Sequence, residues 1–91
     1  MPTVINDEVL RGSVSANVTR LREARGLSQD QLAEMAGVHR VQINRIERGK
    51  SLPSLALTYT LADIFGIDAN VFRQATEARR EKSSATGLTT E

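Results

Sequence analysis

The sequence predicts an all-α fold. Apolar residues recur at helical spacing, as at Val14, Val18 and Leu21, and no stretch alternates with the period of a β-strand. Helix-capping residues and glycines interrupt the chain at short intervals, which indicates several short helices rather than a few long ones. A chain of 91 residues has room for one hydrophobic core, so we expect a single domain.

Composition excludes several classes of protein. The chain has no cysteine and a single histidine, His39, so we expect no disulfide, no metal site, no cofactor and no catalytic residues. It contains neither an apolar run long enough to span a membrane nor a signal peptide, and we therefore expect a cytoplasmic protein. Three aromatic residues are too few for a base-stacking platform.

The small net charge conceals an uneven distribution. The formal total is +1, yet residues 20–50 carry seven basic and four acidic side chains, a net +3. Residues 51–70 contain only two charged side chains, both acidic, a net −2. This pattern predicts a localised basic patch and argues against a uniformly polycationic protein.

The first helix is predicted from Ser13 to the glycine at 26. Its start is left open, because Asn6 could begin an earlier turn while Gly12 weakens a continuous helix. The resulting division of the chain is an N-terminal arm or irregular segment at 1–12, a folded domain at 13–82 and a disordered tail at 83–91.

Two short helices follow. Ser28 is a predicted N-cap and completes a capping box with Gln31, and Gly37 ends this helix. The inner stripe of this helix is predicted to comprise Leu32, Met35 and Ala36. The next helix is predicted from His39 to Arg48.

A fourth helix is predicted at 55–65, capped by Ser54. A fifth is expected to start at Ala69 behind an Asp68 cap and to run to about Glu81.

The segment 28–49 predicts a helix-turn-helix unit, since two short helices meet at a turn of three to four residues. Ile43 and Ile46 are expected to face the core, and Ala33 to lie where the two helices cross. The outer face of the second helix is then rich in Arg, Asn and Gln, which are suited to hydrogen bonding with base edges in a major groove.

The stretch from Val18 to Phe72 resembles the phage repressor/Cro type of helix-turn-helix protein, the XRE family. The resemblance is carried by LREARGLSQDQLAEMAGV, by INRIERGKSLPSLALTYTLADIFGI and by DANVF, about sixty percent of the chain. It implies a lambda-repressor-like bundle of five helices that forms a homodimer and binds double-stranded DNA at a palindromic operator.

The resemblance also implies a role for individual residues. Base contacts are implied for Arg40, Val41, Asn44 and Arg45. Phosphate contacts are implied for Ser28, Gln29, Gln42, Arg48 and Lys50. A structural ion pair is implied between Arg22 and Glu47. A dimer interface is implied for Leu57, Ile64, Val71 and Phe72.

Two departures from the family pattern leave alternatives open. His39 stands where Ser or Thr usually caps the recognition helix, so it is a cap, a DNA contact or neither. Leu57 and Ile64 are apolar where the family has polar and small residues. They lie seven positions apart on one helix face, which is either extra core or a covered interface.

The predicted function is sequence-specific DNA binding that regulates transcription, with a repressor or autoregulator favoured over a ligand-gated sensor. The alternative is a protein-interaction module, such as an antitoxin or adaptor, that uses the same fold. Whether another regulatory protein is a partner is left open. We expect neither membrane association nor an enzyme.

Overall fold

The computed structural model describes residues 5–74, which form four α-helices and one short 3-10 helix. The α-helices are α1 (Asp7–Ala24), α2 (Gln29–Ala36), α3 (Arg40–Glu47) and α4 (Leu55–Phe65). The 3-10 helix spans Ala69–Arg73. Residues 5–74 contain no β-strand, which confirms the all-α prediction for this part of the chain. Within the same residues, no helix has the length and apolar character needed to cross a membrane.

Helix α1 begins at Asp7, so of the two starts that the sequence left open, the earlier one at Asn6 is correct. The side chain of Asn6 caps it, with Oδ1 accepting hydrogen bonds from the backbone N–H groups of Glu8 at 2.7 Å and Val9 at 3.2 Å. Acidic side chains in the first turn also favour the helix start through its dipole. A cap contributes about 1 kcal/mol, comparable to the cost of a glycine inside a helix, so α1 runs through Gly12. Residues 7–12 are therefore helical, not an irregular arm.

The predicted fifth helix begins at Ala69 as expected, but within the described residues it is a five-residue 3-10 helix, so a bundle of five α-helices is not confirmed. Asp68 caps it as predicted, accepting from the N–H of Asn70 at 2.8 Å. The chain turns extended at Gln74. There the buried Asn17 amide donates to the carbonyls of Phe72 at 3.2 Å and Gln74 at 2.8 Å, which removes the need for helical hydrogen bonds at this end. The predicted continuation to Glu81 and the predicted tail at 83–91 lie outside the described residues.

One apolar core joins the helices. Helix α1 packs on α3 and on the 3-10 helix, and α2 packs on α3 and α4. The buried apolar residues are Val14, Val18, Leu21, Leu32, Ala33, Ile43, Ile46, Leu57, Leu61, Ala62, Phe65 and Phe72. Arg25, at the end of α1, lies 5.3 Å from the ring centre of Phe65 and donates to its carbonyl, which ties α1 to the end of α4.

The inner stripe of α2 differs from the predicted one. Leu32 and Ala33 are buried and Ala36 packs against the core, whereas Met35 is exposed. Around the helix, Ala36 and Ala33 lie on one side of Leu32 and Met35 lies on the other. The inward face therefore includes Ala33 and leaves out Met35. The bounds of α4, by contrast, match the predicted 55–65, with Ser54 accepting from the N–H of Leu57 at 3.1 Å.

Candidate nucleic-acid interface

The turn between α2 and α3 depends on Gly37. Its backbone is left-handed, with φ 73° and ψ 31°, a conformation that residues with a side chain rarely adopt. The N–H groups of Gly37 and Val38 donate to the carbonyls of Glu34 and Ala33, at 3.3 and 3.0 Å, and so close the end of α2. Only Val38 and His39 separate Gly37 from the first residue of α3. The two helices are therefore held close together as a helix-turn-helix unit.

Helix α2 begins with a complete capping box. Ser28 Oγ accepts from the N–H of Gln31 at 3.0 Å, and Gln31 Oε1 accepts from the N–H of Ser28 at 2.8 Å. The predicted box is confirmed. The Ser28 hydroxyl therefore serves the helix itself, and its implied phosphate contact stays a prediction.

Helix α3 begins with little capping. His39 has the extended backbone of an N-cap, but its side chain makes no capping hydrogen bond within the described residues. The remaining contact at this end is a long one of 3.5 Å between the N–H of His39 and Oε1 of Gln42. No hydrogen bond supports a side-chain cap at His39 within the described residues, and its DNA contact stays a prediction. Of the first N–H groups of α3, that of Gln42 donates to the carbonyl of His39 at 2.9 Å, whereas those of Arg40 and Val41 have no partner within the described residues, an arrangement that suits an anion.

The outer face of α3 is polar and basic, as predicted. Ile43 and Ile46 are buried and fix the inward side of the helix. The exposed residues of the helix and of the turn after it are Arg40, Val41, Gln42, Arg45, Arg48 and Lys50. Within the described residues, Arg45, Arg48 and Lys50 make no ion pair. Their charges are thus available to a ligand.

A buried ion pair holds the end of α3. Arg22 Nε and Nη2 donate to the two carboxylate oxygens of Glu47 at 2.7 and 3.0 Å, which confirms the predicted pair. Only 13% and 5% of the two side chains is exposed. The hydrogen bond to Glu47 raises the pKa of Arg22 above its ordinary value. Arg22 also donates to the carbonyl of Leu27 at 2.7 Å, and the Ser15 hydroxyl donates to the carbonyl of Glu47.

Two predicted DNA contacts belong to this same network. Gln29 Nε2 donates to Glu47 Oε1 at 2.9 Å, and Asn44 Nδ2 donates to Gln29 Oε1 at 3.3 Å. Both residues are half-buried. The structure therefore places Gln29 and Asn44 at the inner edge of the basic face, where they connect α2 to α3. Their implied phosphate and base contacts remain predictions.

Sequence reasoning missed one polar contact on this surface. Asp30, in the first turn of α2, forms an ion pair with Arg40 at the start of α3, with Nε and Oδ1 3.3 Å apart. The two residues are ten positions apart and on different helices, so neither helical spacing nor a local motif reveals the pair. The acidic residue at the start of α2 was visible in the sequence, but its partner depends on how the turn is folded.

The four predicted dimer residues are not all available at the surface. Leu57 is 6% exposed and Phe72 is 3% exposed, and Phe72 packs edge-to-face against Phe65 with ring centres 6.3 Å apart. Ile64 and Val71 are half-buried. The extra apolar residue at 57 is covered by its own chain, so Leu57 is core and its assignment to an interface is wrong. A charged substitution there would test folding, not dimerisation.

Two short helices joined by a left-handed glycine turn, with a basic outer face on the second helix, define a helix-turn-helix domain of the nucleic-acid-binding class. The HTH_3 helix-turn-helix family matches residues 18–72, which is more than half of the chain. The chain belongs to this family. The match covers the turn, both helices of the unit and the α1 residue of the buried ion pair.

Individual relatives agree with this placement. An uncharacterised HTH-type transcriptional regulator of Archaeoglobus fulgidus is 46% identical over 50 residues, covering 52% of this chain and 71% of the relative. A crystal structure of an HTH_3-family transcriptional regulator from Vibrio cholerae superposes with a TM-score of 0.67 at 30% identity. It covers 74% of this chain, which spans only 38% of that protein.

The restriction-modification controller protein C.AhdI of Aeromonas hydrophila is a further structural neighbour. It has a TM-score of 0.64 and 31% identity, and the superposition covers 68% of this chain and 94% of that protein. The superposition covers nearly the whole of that small protein, so its fold consists almost entirely of the helical arrangement described here.

Proposed function

We propose that the protein is a sequence-specific double-stranded DNA-binding transcriptional regulator. The observation that carries the proposal is an exposed basic group, Arg45, Arg48 and Lys50, which makes no ion pair within residues 5–74 and lies on and after a helix whose end is fixed by a buried ion pair. A rigid helix with exposed hydrogen-bond donors has the form of a major-groove reader. The names of the matched relatives support a regulatory role.

The proposed division of labour follows the position of each side chain. Arg40 and Arg45 would donate to guanine O6 and N7, and the exposed Val41 would contact a thymine methyl. Arg48 and Lys50, where α3 ends, would contact phosphates, together with the open N–H groups at the start of α3. His39 stands beside those N–H groups and is retained as a phosphate-contact candidate.

The assembly is proposed to be a homodimer on a palindromic operator, in a cytoplasmic repressor or autoregulator. This rests on the resemblance to repressor/Cro proteins. With Leu57 and Phe72 in the core, Ile64 and Val71 are the residues left from the predicted interface, because each is half-buried and keeps part of its surface available. Two recognition helices related by a two-fold axis would enter successive major grooves.

A protein-interaction module is the second candidate, and one observation favours it. Leu55 and Tyr59 lie one turn apart on α4 and are both exposed. An apolar pair outside the basic face is suited to a protein partner. In this case DNA affinity would be weak and independent of sequence, and would fall steeply with salt.

Selection of bound duplexes from a random pool decides between the two. Sequence-specific binding by a dimer predicts an enriched two-fold symmetric motif with half-sites about one helical turn apart, and affinity for it that persists at physiological salt. A pool with no enriched motif, and binding lost at physiological salt, would exclude specific DNA recognition. Enrichment of a single half-site would keep specific recognition and exclude the dimer.

A further inference from the structure

The contact between Asp30 and Arg40 joins the starts of the two helices of the motif. Arg40 Nε lies 3.3 Å from Asp30 Oδ1. Arg40 is the first residue of α3, and Asp30 is the second residue of α2. Both side chains remain largely in solvent, with 55% and 77% exposed. An exposed pair of this kind contributes about 0–1 kcal/mol to stability.

The position of Arg40 is unfavourable for helix α3 itself. The N-terminus of a helix carries a partial positive charge, which disfavours a cation in the first turn. Helix α3 has no acidic residue in its own first turn. Asp30 supplies the missing negative charge from α2, where it also lies in a favourable first-turn position. The carboxylate therefore allows a cation to stand where α3 enters the proposed groove.

The geometry leaves the reading edge of Arg40 available. A guanidinium has five N–H donors in a fixed plane, and Asp30 Oδ1 lies at its Nε end in an ion pair. The two terminal nitrogens, Nη1 and Nη2, make no ion pair within residues 5–74, so they can donate side by side, as a guanine requires at O6 and N7. A side chain held at Nε loses less rotational freedom when it binds, which favours the bidentate geometry.

We infer that Asp30 is a positioning residue, which holds the Arg40 guanidinium so that its terminal nitrogens read a guanine in each half-site. This inference rests on the proposed DNA-binding function.

The test compares Asp30→Asn with the wild type on the selected duplex and on duplexes changed at single base pairs. Arg40→Ala first identifies the base pair that Arg40 reads. Asp30→Asn is expected to reduce discrimination at that base pair by roughly three- to tenfold, a fraction of the value of a bidentate contact. Discrimination at the base pair read by Arg45 is expected to stay unchanged, because Arg45 has no carboxylate partner within the described residues.

Glu34→Gln is the matched control. Glu34 is an exposed carboxylate on the same helix, it makes no ion pair within the described residues, and its substitution removes the same charge. It is expected to leave discrimination at both base pairs unchanged. If Asp30→Asn instead raises affinity for every duplex by one factor, as loss of a repulsive charge alone would do, the positioning role is overturned.

A measurement on the free protein separates this inference from the proposed function. The ¹⁵Nε relaxation of Arg40 reports the mobility of its side chain without DNA. It is expected to show a restrained side chain in the wild type and in Glu34→Gln, and a mobile one in Asp30→Asn. Equal mobility in all three proteins would overturn the positioning role. A restrained Arg40 in a protein that selects no DNA motif would instead locate the failure in the proposed function.

Discussion

Helices α2 and α3 are each eight residues long and share one turn, yet they begin in opposite ways. Ser28 and Gln31 satisfy the start of α2 with two reciprocal hydrogen bonds, and an acidic residue follows. Helix α3 begins at His39 without a side-chain cap and with a cation in its first position. The difference shows that the start of α2 is satisfied by its own side chains, whereas the start of α3 leaves the N–H groups of Arg40 and Val41 without a partner within the described residues.

The other end of α3 depends on α1 and α2. The Glu47 carboxylate accepts hydrogen bonds from Arg22 and Gln29 and is almost fully buried. Helix α3 is therefore anchored at its C-terminus and open at its N-terminus. Anchoring through a neighbouring helix compensates for the weak start. The following predictions probe this contrast, beginning with the largest effect.

Glu47→Gln is expected to lower the free energy of unfolding by about 3 kcal/mol, because it leaves the buried Arg22 charge without its partner. Urea or thermal unfolding measures this. Glu23→Gln is the control: Glu23 is 66% exposed and lies 3.8 Å from the same guanidinium, so its loss is expected to cost less than about 0.5 kcal/mol. Equal losses of unfolding free energy from the two substitutions would show that the buried pair stabilises the fold no more than the exposed one.

Arg45→Ala is expected to weaken binding to the selected duplex by about 1–3 kcal/mol and to relax the preference at one base pair in each half-site. Binding to single-base variants of the duplex measures both. Arg73→Ala, at an exposed arginine in the 3-10 helix, serves as the control and should leave the preference intact. A uniform loss over all duplexes would make Arg45 a phosphate contact.

Ser28→Ala is expected to cost about 1 kcal/mol of stability, since it removes the cap of α2. His39→Ala is expected to change stability little, because no side-chain cap is lost. His39→Ser supplies the missing cap and should stabilise the protein by about 0.5–1 kcal/mol. Chemical unfolding of the three variants compares the two helix starts directly. A similar loss from Ser28→Ala and His39→Ala would contradict the contrast drawn above.

Lys50→Ala is expected to weaken binding to all duplexes alike and to lower the slope of log affinity against log salt by about one. Lys50→Arg retains the charge and should keep the slope. Titrations at several salt concentrations measure it. A loss confined to one base pair would assign Lys50 to base recognition.

Local signals in the sequence predicted much of this architecture. The Ser28 box, the Gly37 turn and the bounds of α4 depend on neighbours within four residues, and all three are as predicted. The Arg22–Glu47 pair was predicted only through the family resemblance, because its partners lie 25 residues apart.

Features that depend on the packed fold were not predicted. Asn17 ends the 3-10 helix by bonding to carbonyls 55 and 57 residues away, and no spacing along the chain reveals that. The burial of Leu57 and the exposure of Met35 follow from how α4 and α2 are rotated against the core. The Asp30–Arg40 contact likewise exists only once the turn has brought the two helix starts together.

Backbone amide shifts on titration with the selected duplex test the central claim most directly, because they show which surface meets DNA. The account predicts that the largest shifts fall between His39 and Lys50 and at the first turn of α2, with α4 beyond its first turn and the 3-10 helix little affected. The largest shifts around Leu55 and Tyr59 on α4, with residues 39–50 unchanged, would contradict it.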